Sequence, residues 1–516
     1  MLVSRDSILK DKAVDRFVDA ILTHDQPRTA GIFNDLVRRE GRSIGDALSV
    51  VTAAEAPFVQ VPNHINIRDG QIVLINNDHT ILGLRTSAAL MPYIPESHRM
   101  LAMLQSVWYI PAGLDIWNQL AGKYPGRYAT MKGMNIPLDD KRPIVWQDHQ
   151  EPIVENGSVD ERVDAYMVAT MSGDVRRSYG LFLGLAQDPA LRARARDALL
   201  FLGLIDVQDT IAGRKARNTG HKALRARAVV DLADYIGWDR AHGVYYTGVP
   251  DMAIGPLYYS AYDAACVVTT EAFPNGGKDL ARTNTAPLSP AEVEAFVDLL
   301  MNAESETVWN AVTDHLRAGK SIRSLGDAIA IGAAELILRT TIPRKFTDGQ
   351  HPFDYCNTAN YWMRTSDNPY QARILYLMAN FVNDSARANK LHESPLAAEA
   401  ASFDATGRDA ARLLADQDEA ILAFDFGRAT AIAGAYMASG ADRKAFMGAT
   451  AVTACKFQDD PHNQKICHSA FEEYQANTTH LKDRLLMASA RLLAGWPKMP
   501  GERDCHARFE KEWRLH

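Results

Sequence analysis

The residues of this chain best suited to chemistry are histidines that stand far apart in the sequence. His79 heads the segment HTILGLRTSAALMPYI and His221 heads HKALRARAVVDLADYI, and each is followed by Tyr-Ile 14 residues later. Neutral imidazole is the commonest side-chain ligand for iron, zinc and copper. Histidines at the starts of helices in separate units would let a helical body gather imidazoles at one point.

Two carboxylates on apolar segments could complete such a site. Glu55 lies in TAAEAPF and Glu335 in GAAELIL, and a histidine follows each of them, His64 and His351 respectively. A buried carboxylate needs a partner, because desolvation alone costs several kcal/mol or drives protonation. A metal, an arginine such as Arg339, a helix terminus or simple exposure would each meet that need. The predicted metal site draws on a subset of these residues: His64, His79, His221, His351, Glu55 and Glu335.

Two to four histidines with a carboxylate suit non-heme iron, with manganese or zinc as alternatives. The chain has no H-E-x-x-H or E-x-x-H spacing, and none of the glycine motifs of P-loop, Rossmann or α/β-hydrolase proteins. A nucleotide cofactor is therefore not expected, and no residue is assigned as acid, base or nucleophile. Histidine capping, core hydrogen bonding or exposure is the alternative at each position. His462 and His468 are six apart, which does not suit one helix face, so neither is expected to be a ligand.

Substrate binding is predicted for basic and aromatic residues near His221. The stretch from Arg214 to Arg227 has six basic and no acidic residues, and it could receive an anion if it is not simply a solvated helix face. Lys222 could clamp an anion or carry a metal-binding carbamate, although an exposed lysine is the ordinary alternative. Aromatic side chains could wall a pocket for a flat substrate or pack in the core. The predicted substrate-binding residues are Lys222, Arg225, Tyr235, Trp238, Tyr258 and Tyr259.

The elements that must position these residues are predicted to be mainly α-helices. Apolar residues recur at spacings of three and four, as in Val14-Phe17-Val18-Ile21 and Val293-Phe296-Leu299-Leu300. One short β-hairpin is predicted near residues 65–75, because two β-rich runs flank Asp69-Gly70, a pair that tolerates the positive φ of a tight turn.

An internal echo predicts a multi-helix body built from repeated antiparallel helix pairs. VDRFVDAIL and IGDALSVVTAAE, from 14 to 55, are matched by VEAFVDLLM and LGDAIAIGAAE, from 293 to 335. Chance similarity between helices is the alternative. Breaks rich in proline and glycine suggest units over 1–145, 150–280, 285–395 and 400–516, which we expect to pack into one compact body.

Composition indicates a cytoplasmic globular protein. Hydrophobic residues make up 47% and charged residues 23% of the 516 residues, and the formal net charge is -7. This balance gives no general attraction to nucleic acid or to anionic membranes. The five cysteines are scattered without a C-x-x-C pair, which favours reduced thiols, and no run of about 18 apolar residues could span a bilayer. Assembly into a homo-oligomer is left open.

At GHKALRARAVVDLADYIGW and HPFDYCNTANYWMR the chain resembles the helical questin-oxidase-like proteins, in scattered pieces of about a third of its length. The resemblance implies a non-heme iron held by separated histidines, with His221 and His351 as the matching positions. It also implies oxygen-dependent oxidation of an aromatic or polyketide-like small molecule. The alternatives are a non-catalytic helical-repeat binding protein and a metal-free protein that binds an anionic ligand.

Overall fold

The structure is a computed structural model that describes residues 8, 10–66, 71–76, 79–121, 151–207, 220–253, 257–391, 403–457, 461–496, 501 and 503–514. Over these ranges the chain is mainly α-helical, which confirms the fold class predicted from the spacing of apolar residues. No helix in the described ranges is both long and apolar enough to cross a bilayer.

The described residues up to Ala272 contain eleven α-helices and two strands. In chain order they are α1 (Lys12–Leu22), α2 (Gln26–Arg38), α3 (Ile44–Val59), β1 (Gln60–Asn66), β2 (Gln71–Asn76), α4 (His79–Leu90), α5 (Arg99–Ala121), α6 (Val159–Met171), α7 (Val175–Ala186), α8 (Arg192–Ile205), α9 (His221–Ile236), α10 (His242–Gly248) and α11 (Ser260–Ala272).

Further helices complete the described part of the chain. They are α12 (Leu280–Thr283), α13 (Pro290–Asn302), α14 (Ser305–Arg317), α15 (Ile322–Arg339), α16 (Phe346–Thr365), α17 (Gln371–Ala388), α18 (Ala410–Leu422), α19 (Phe426–Ala438), α20 (Arg443–Ala454), α21 (His462–Ala476), α22 (Asp483–Gly495) and α23 (Asp504–Arg508). Short 3-10 turns connect several of them.

The strands β1 and β2 pair antiparallel, with Gln60 opposite Asn76 and Asn66 opposite Gln71. Their register shifts between Asn63 and Ile65, at His64. The Asp69-Gly70 turn predicted to join them lies outside the described residues, so the tight hairpin turn stays a prediction.

Helix α15 lies at the centre of the core. Residues Ser324 to Leu338 are all buried, as expected for a helix that is apolar on every side. It packs against α13, α16, α17 and α22. All five cysteines are among the described residues and none forms a disulfide.

Four helices form a closed ring of contacts. Helix α4 packs against α9, α9 against α16, α16 against α21, and α21 against α4. Two glycines shape the start of α9. Gly220 has φ 82°, and a Cβ there would lie 3.2–3.3 Å from Phe381 and Tyr355. Gly203 on α8 meets α9 so closely that a Cβ would lie 2.8 Å from the carbonyl oxygen of Lys222.

The two segments of the internal echo each contain a packed pair of helices. Helix α1 packs against α3, and α13 packs against α15. The repeated antiparallel pairs and the boundaries of the four units stay predictions.

The basic stretch from Arg214 to Arg227 is not a solvated helix face where it is described. Lys222, Arg225 and Arg227 are 3–6% exposed, whereas Arg214, Lys215 and Arg217 lie outside the described residues.

Candidate metal centre

Four histidines, one from each helix of the ring, meet at one place. The ring centroids of His79 and His221 are 5.3 Å apart, and those of His221 and His351 are 4.8 Å apart. His462 completes the group, with centroids 5.4 Å from His79 and 6.0 Å from His351. Each of the four predicted units of the chain contributes one histidine. We call His79, His221, His351 and His462 the histidine cluster.

Three members of the cluster are the first residues of their helices: His79 of α4, His221 of α9 and His462 of α21. Helical side chains tilt toward the N-terminus, so a side chain at the first position projects past the helix end. The three helix starts therefore converge. His351 comes from the second turn of α16 and closes the cluster.

The closest contact joins His221 and His351, whose Nε2 atoms are 2.9 Å apart. One ring donates and the other accepts, according to the tautomers. Burial lowers the pKa of His351 well below 6.5, and positive charge on His221, Lys465, His462 and His79 lowers it further. His351 therefore stays neutral at physiological pH, which is the state that binds metals.

Imidazole nitrogens are donors that transition-metal ions accept, and the distance between the Nε2 atoms of His221 and His351 suits two ligands of one ion. Two nitrogens bound to one ion at about 2.0–2.1 Å lie roughly 2.9 Å apart at a right angle, with ring centroids roughly 4.5–5.5 Å apart. In their present orientation, however, no three histidine, cysteine, aspartate or glutamate side chains of the described ranges are arranged to hold one ion. Binding would require the rings to turn so that their nitrogens face a common point.

Neighbouring side chains contact both the ring and the backbone of His462. The Trp496 ring stacks on the imidazole with centroids 4.2 Å apart and an interplanar angle of 23°. The Gln350 side-chain amide donates to the His462 carbonyl at 2.9 Å. Both contacts bind the start of α21 to the cluster, and such supporting contacts commonly control metal affinity.

A buried lysine and aspartate lie one helical turn beyond two of the histidines. Lys465 follows His462 by three residues on α21, and Asp354 follows His351 by three residues on α16. The Nζ of Lys465 is 3.8 Å from Oδ2 of Asp354, and Ser469 donates to Oδ1 at 2.7 Å. Lys465 is 3% exposed and Asp354 1%.

Glu55 reaches the same region from α3. Its carboxyl group lies near the side chain of Thr80, the residue after His79. Burial raises the pKa of Glu55 from 4.5 to about 8, although the nearby Thr80 side chain opposes that rise. Glu55 is thus a carboxyl group close to the cluster that can hold or release a proton near neutral pH.

Glu335, predicted as a second carboxylate of the site, is instead held by arginines. Arg484 lies 2.5 Å from Oε1 and Arg339 lies 3.5 Å from Oε2. Both oxygens of this fully buried side chain are therefore engaged, and the arginine alternative accounts for its burial. His64 lies on β1, where only the backbone is described, so its ligand role stays a prediction.

The two basic residues predicted to bind substrate are paired with buried aspartates. Lys222 is ion-paired with the buried Asp206, and Arg225 with the buried Asp251, so neither ammonium nor guanidinium is presented to a substrate. Tyr235 lies 14 residues along α9 from His221, about 21 Å at the rise of an α-helix.

Trp238, Tyr258 and Tyr259 are the other predicted aromatic residues. Trp238 follows α9, and its indole donates to Asp234 at 2.7 Å. Tyr258 donates its backbone N–H to Asp206, and burial raises the pKa of Tyr259. The structure does not bring Tyr235 and Trp238 to the histidine cluster.

His462, Lys465 and Trp496 are the residues that sequence reasoning missed. The six-residue spacing to His468 argued against His462, but that spacing is irrelevant, because only His462 lies in the histidine cluster. His468 lies beside Glu472 and Arg85, where burial lowers its pKa to about 3. The useful signal was that His462 directly follows Pro461, a helix-start pattern, just as His79 and His221 begin helical segments.

Comparisons with known proteins find no match: no protein-family model, no curated protein and no solved structure is similar to the chain.

Proposed function

We propose that the histidine cluster binds one transition-metal ion, non-heme iron in the first place, and that the chain is an oxygen-dependent oxidoreductase acting on a small organic molecule. The observation that carries the proposal is the convergence of four histidines from four helices, with two Nε2 atoms 2.9 Å apart. The resemblance to questin-oxidase-like proteins favours iron and an aromatic or polyketide-like substrate. Manganese and zinc stay alternatives.

Iron bound by neutral imidazoles would supply the binding and activation of dioxygen. The chain's own residues would do the rest. Trp496 and Gln350 hold His462 in place, and burial keeps His351 neutral. Glu55, with a pKa of about 8, would hold a proton beside His79 and exchange it during turnover.

A test is to measure the metal content of protein purified without chelators and then supplied anaerobically with iron. We expect about one equivalent in the wild type and a loss of at least tenfold in metal affinity for His221→Ala and His351→Ala. His480→Ala is the matched control, because His480 pairs with Glu294 at 2.9 Å on the surface. Less than about a tenth of an equivalent in the wild type would overturn the proposal.

The finer architecture is also a proposal. We infer that the body is built from repeated antiparallel helix pairs, supported by the internal echo and by the packing of α1 on α3 and of α13 on α15. A cytoplasmic location is supported by the scattered, reduced cysteines. The binding-protein alternative predicts that alanine at His221 and His351 lowers stability while no metal is bound in any variant.

A further inference from the structure

Lys465 is a buried cation with no hydrogen-bond acceptor in the part of the chain that the structure describes. The residue is 3% exposed, and its Nζ has no acceptor within hydrogen-bond distance among the described residues. Asp354 is 3.8 Å away, beyond the range of a hydrogen bond. A buried ammonium group with three unused donors is costly, so a ligand that supplied an acceptor would be bound favourably.

The Lys465 side chain lies beside the histidine cluster, between α21 and α16. Lys465 lies one turn after His462 on the same face of α21, and its Nζ is 3.8 Å from Asp354, which lies one turn after His351 on α16. The ammonium group is therefore close to two of the four imidazoles. At the same place His79 and His221 are half-buried, whereas His351 and His462 are buried.

The dipoles of three helices add to the positive electrostatic potential of the Lys465 ammonium group. Helices α4, α9 and α21 have 12, 16 and 15 residues, and all three begin at the cluster. Neither Gly220 nor Pro461 caps its helix with a side chain. Three helix N-termini beside one ammonium group favour an anion there and disfavour further positive charge.

We propose that Lys465 and the N-termini of α4, α9 and α21 form an anion subsite beside the histidine cluster, which receives an ionised oxygen of the substrate, a carboxylate, phenolate or enolate. This inference deepens the proposed function by naming the chemical class of the substrate. An anionic oxygen would offset the charge of a bound dication and would place the adjoining carbon atoms beside the imidazoles.

The test uses metal-free protein, so that it does not depend on metal binding. Formate and salicylate are the anionic probes, and formamide and salicylamide are their neutral counterparts. Dissociation constants are obtained from the rise in melting temperature at constant ionic strength. We expect the wild type to prefer each anion over its amide by about tenfold or more. That preference should disappear in Lys465→Met and persist in Lys444→Met, which removes an exposed lysine.

Two further variants keep the test decisive. Lys465→Met/Asp354→Asn avoids leaving an unpaired buried carboxylate if the single variant is unstable, and it should also lose the preference. Asp354→Asn alone should bind anions more tightly, because it removes the negative charge nearest to the ammonium group. Equal affinity for anions and amides in the wild type, no binding of either, or a preference that survives Lys465→Met would overturn the inference.

The same variants separate this inference from the proposed function. Lys465→Met should keep its metal, because the four imidazoles are unchanged. Anion preference in a wild-type protein that takes up no metal would leave the subsite standing and sink the oxidoreductase proposal. Metal uptake without anion preference would support the metal centre and overturn the anion subsite.

Discussion

The Nε2 atoms of His221 and His351 lie 2.9 Å apart, although 130 positions separate the two residues in the sequence. The distance suits two ligands that meet one ion at a right angle, and it also suits a direct hydrogen bond between two neutral rings. A hydrogen bond needs only these two rings, whereas the proposed metal site needs the whole cluster. The two interpretations therefore differ in what they predict for changes at His79 and His462.

Gly220 sets the start of α9 and hence the position of His221. Its φ of 82° disfavours any residue with a Cβ, and that Cβ would press on Tyr355 and Phe381. We expect Gly220→Ala to lower the free energy of unfolding by about 1–2 kcal/mol and to weaken metal binding as well. Chemical denaturation and metal titration measure the two effects.

Gly237, at the other end of α9, is the matched control. Its φ is 99°, but a Cβ there would have no neighbour within 4 Å. Gly237→Ala should therefore lower the free energy of unfolding through backbone strain but leave the metal affinity unchanged. Equal metal affinity in the two variants would contradict the role given to the start of α9.

Trp496 should control metal affinity through its stacking on His462. Replacement by leucine keeps an apolar side chain but removes the flat surface against the imidazole. We expect Trp496→Leu to weaken metal binding about tenfold without changing the stoichiometry. Trp309→Leu, which removes a tryptophan packed on Tyr376 instead, should leave the affinity unchanged. A Trp496 variant with wild-type affinity would show that the stack does not serve the site.

The sequence predicted the helical class and three of the four clustered histidines. The spacing of apolar residues predicts the helices directly. The pattern shared by His79 and His221 predicted two helix starts, and the structure places both at the cluster. The sequence could not predict the ion pairs of Glu335 with Arg484 and of Lys222 with Asp206, because tertiary packing brings these residues together. The sequence shows only that a charged residue on a buried helix needs a partner. Whether that partner is a metal or another side chain depends on the tertiary structure.

Glu55 predicts how stability depends on pH. Its pKa is about 8 in the folded protein against 4.5 for an ordinary glutamate, so the folded state binds the extra proton between these values. Stability should therefore fall as pH rises from about 5 to 8, by up to a few kcal/mol at about 1.4 kcal/mol per unit.

The neutral variant Glu55→Gln isolates this contribution. Urea unfolding at pH 5.5 and pH 8.5 should show a smaller loss of stability in Glu55→Gln than in the wild type, in metal-free protein. A wild type and variant with the same pH dependence would mean that Glu55 is ionised in the folded protein at both pH values.

The arginines that hold Glu335 predict a purely structural role for this carboxylate. Burial raises the pKa of Glu335, and Arg484 and Arg339 oppose that rise. We expect Arg484→Met to lower the free energy of unfolding by about 2–4 kcal/mol, because a buried carboxylate would keep only its longer contact with Arg339. Glu335→Gln should leave the metal content unchanged. Loss of metal in Glu335→Gln would instead make Glu335 part of the centre.

X-ray absorption spectroscopy of the iron-loaded protein tests the metal centre most directly, because it reports the atoms bound to the ion. We predict one iron per chain with three or four imidazole nitrogens at about 2.0–2.2 Å, and one imidazole fewer in His462→Ala. An iron surrounded by oxygen atoms only, or a spectrum unchanged by His462→Ala, would contradict the account.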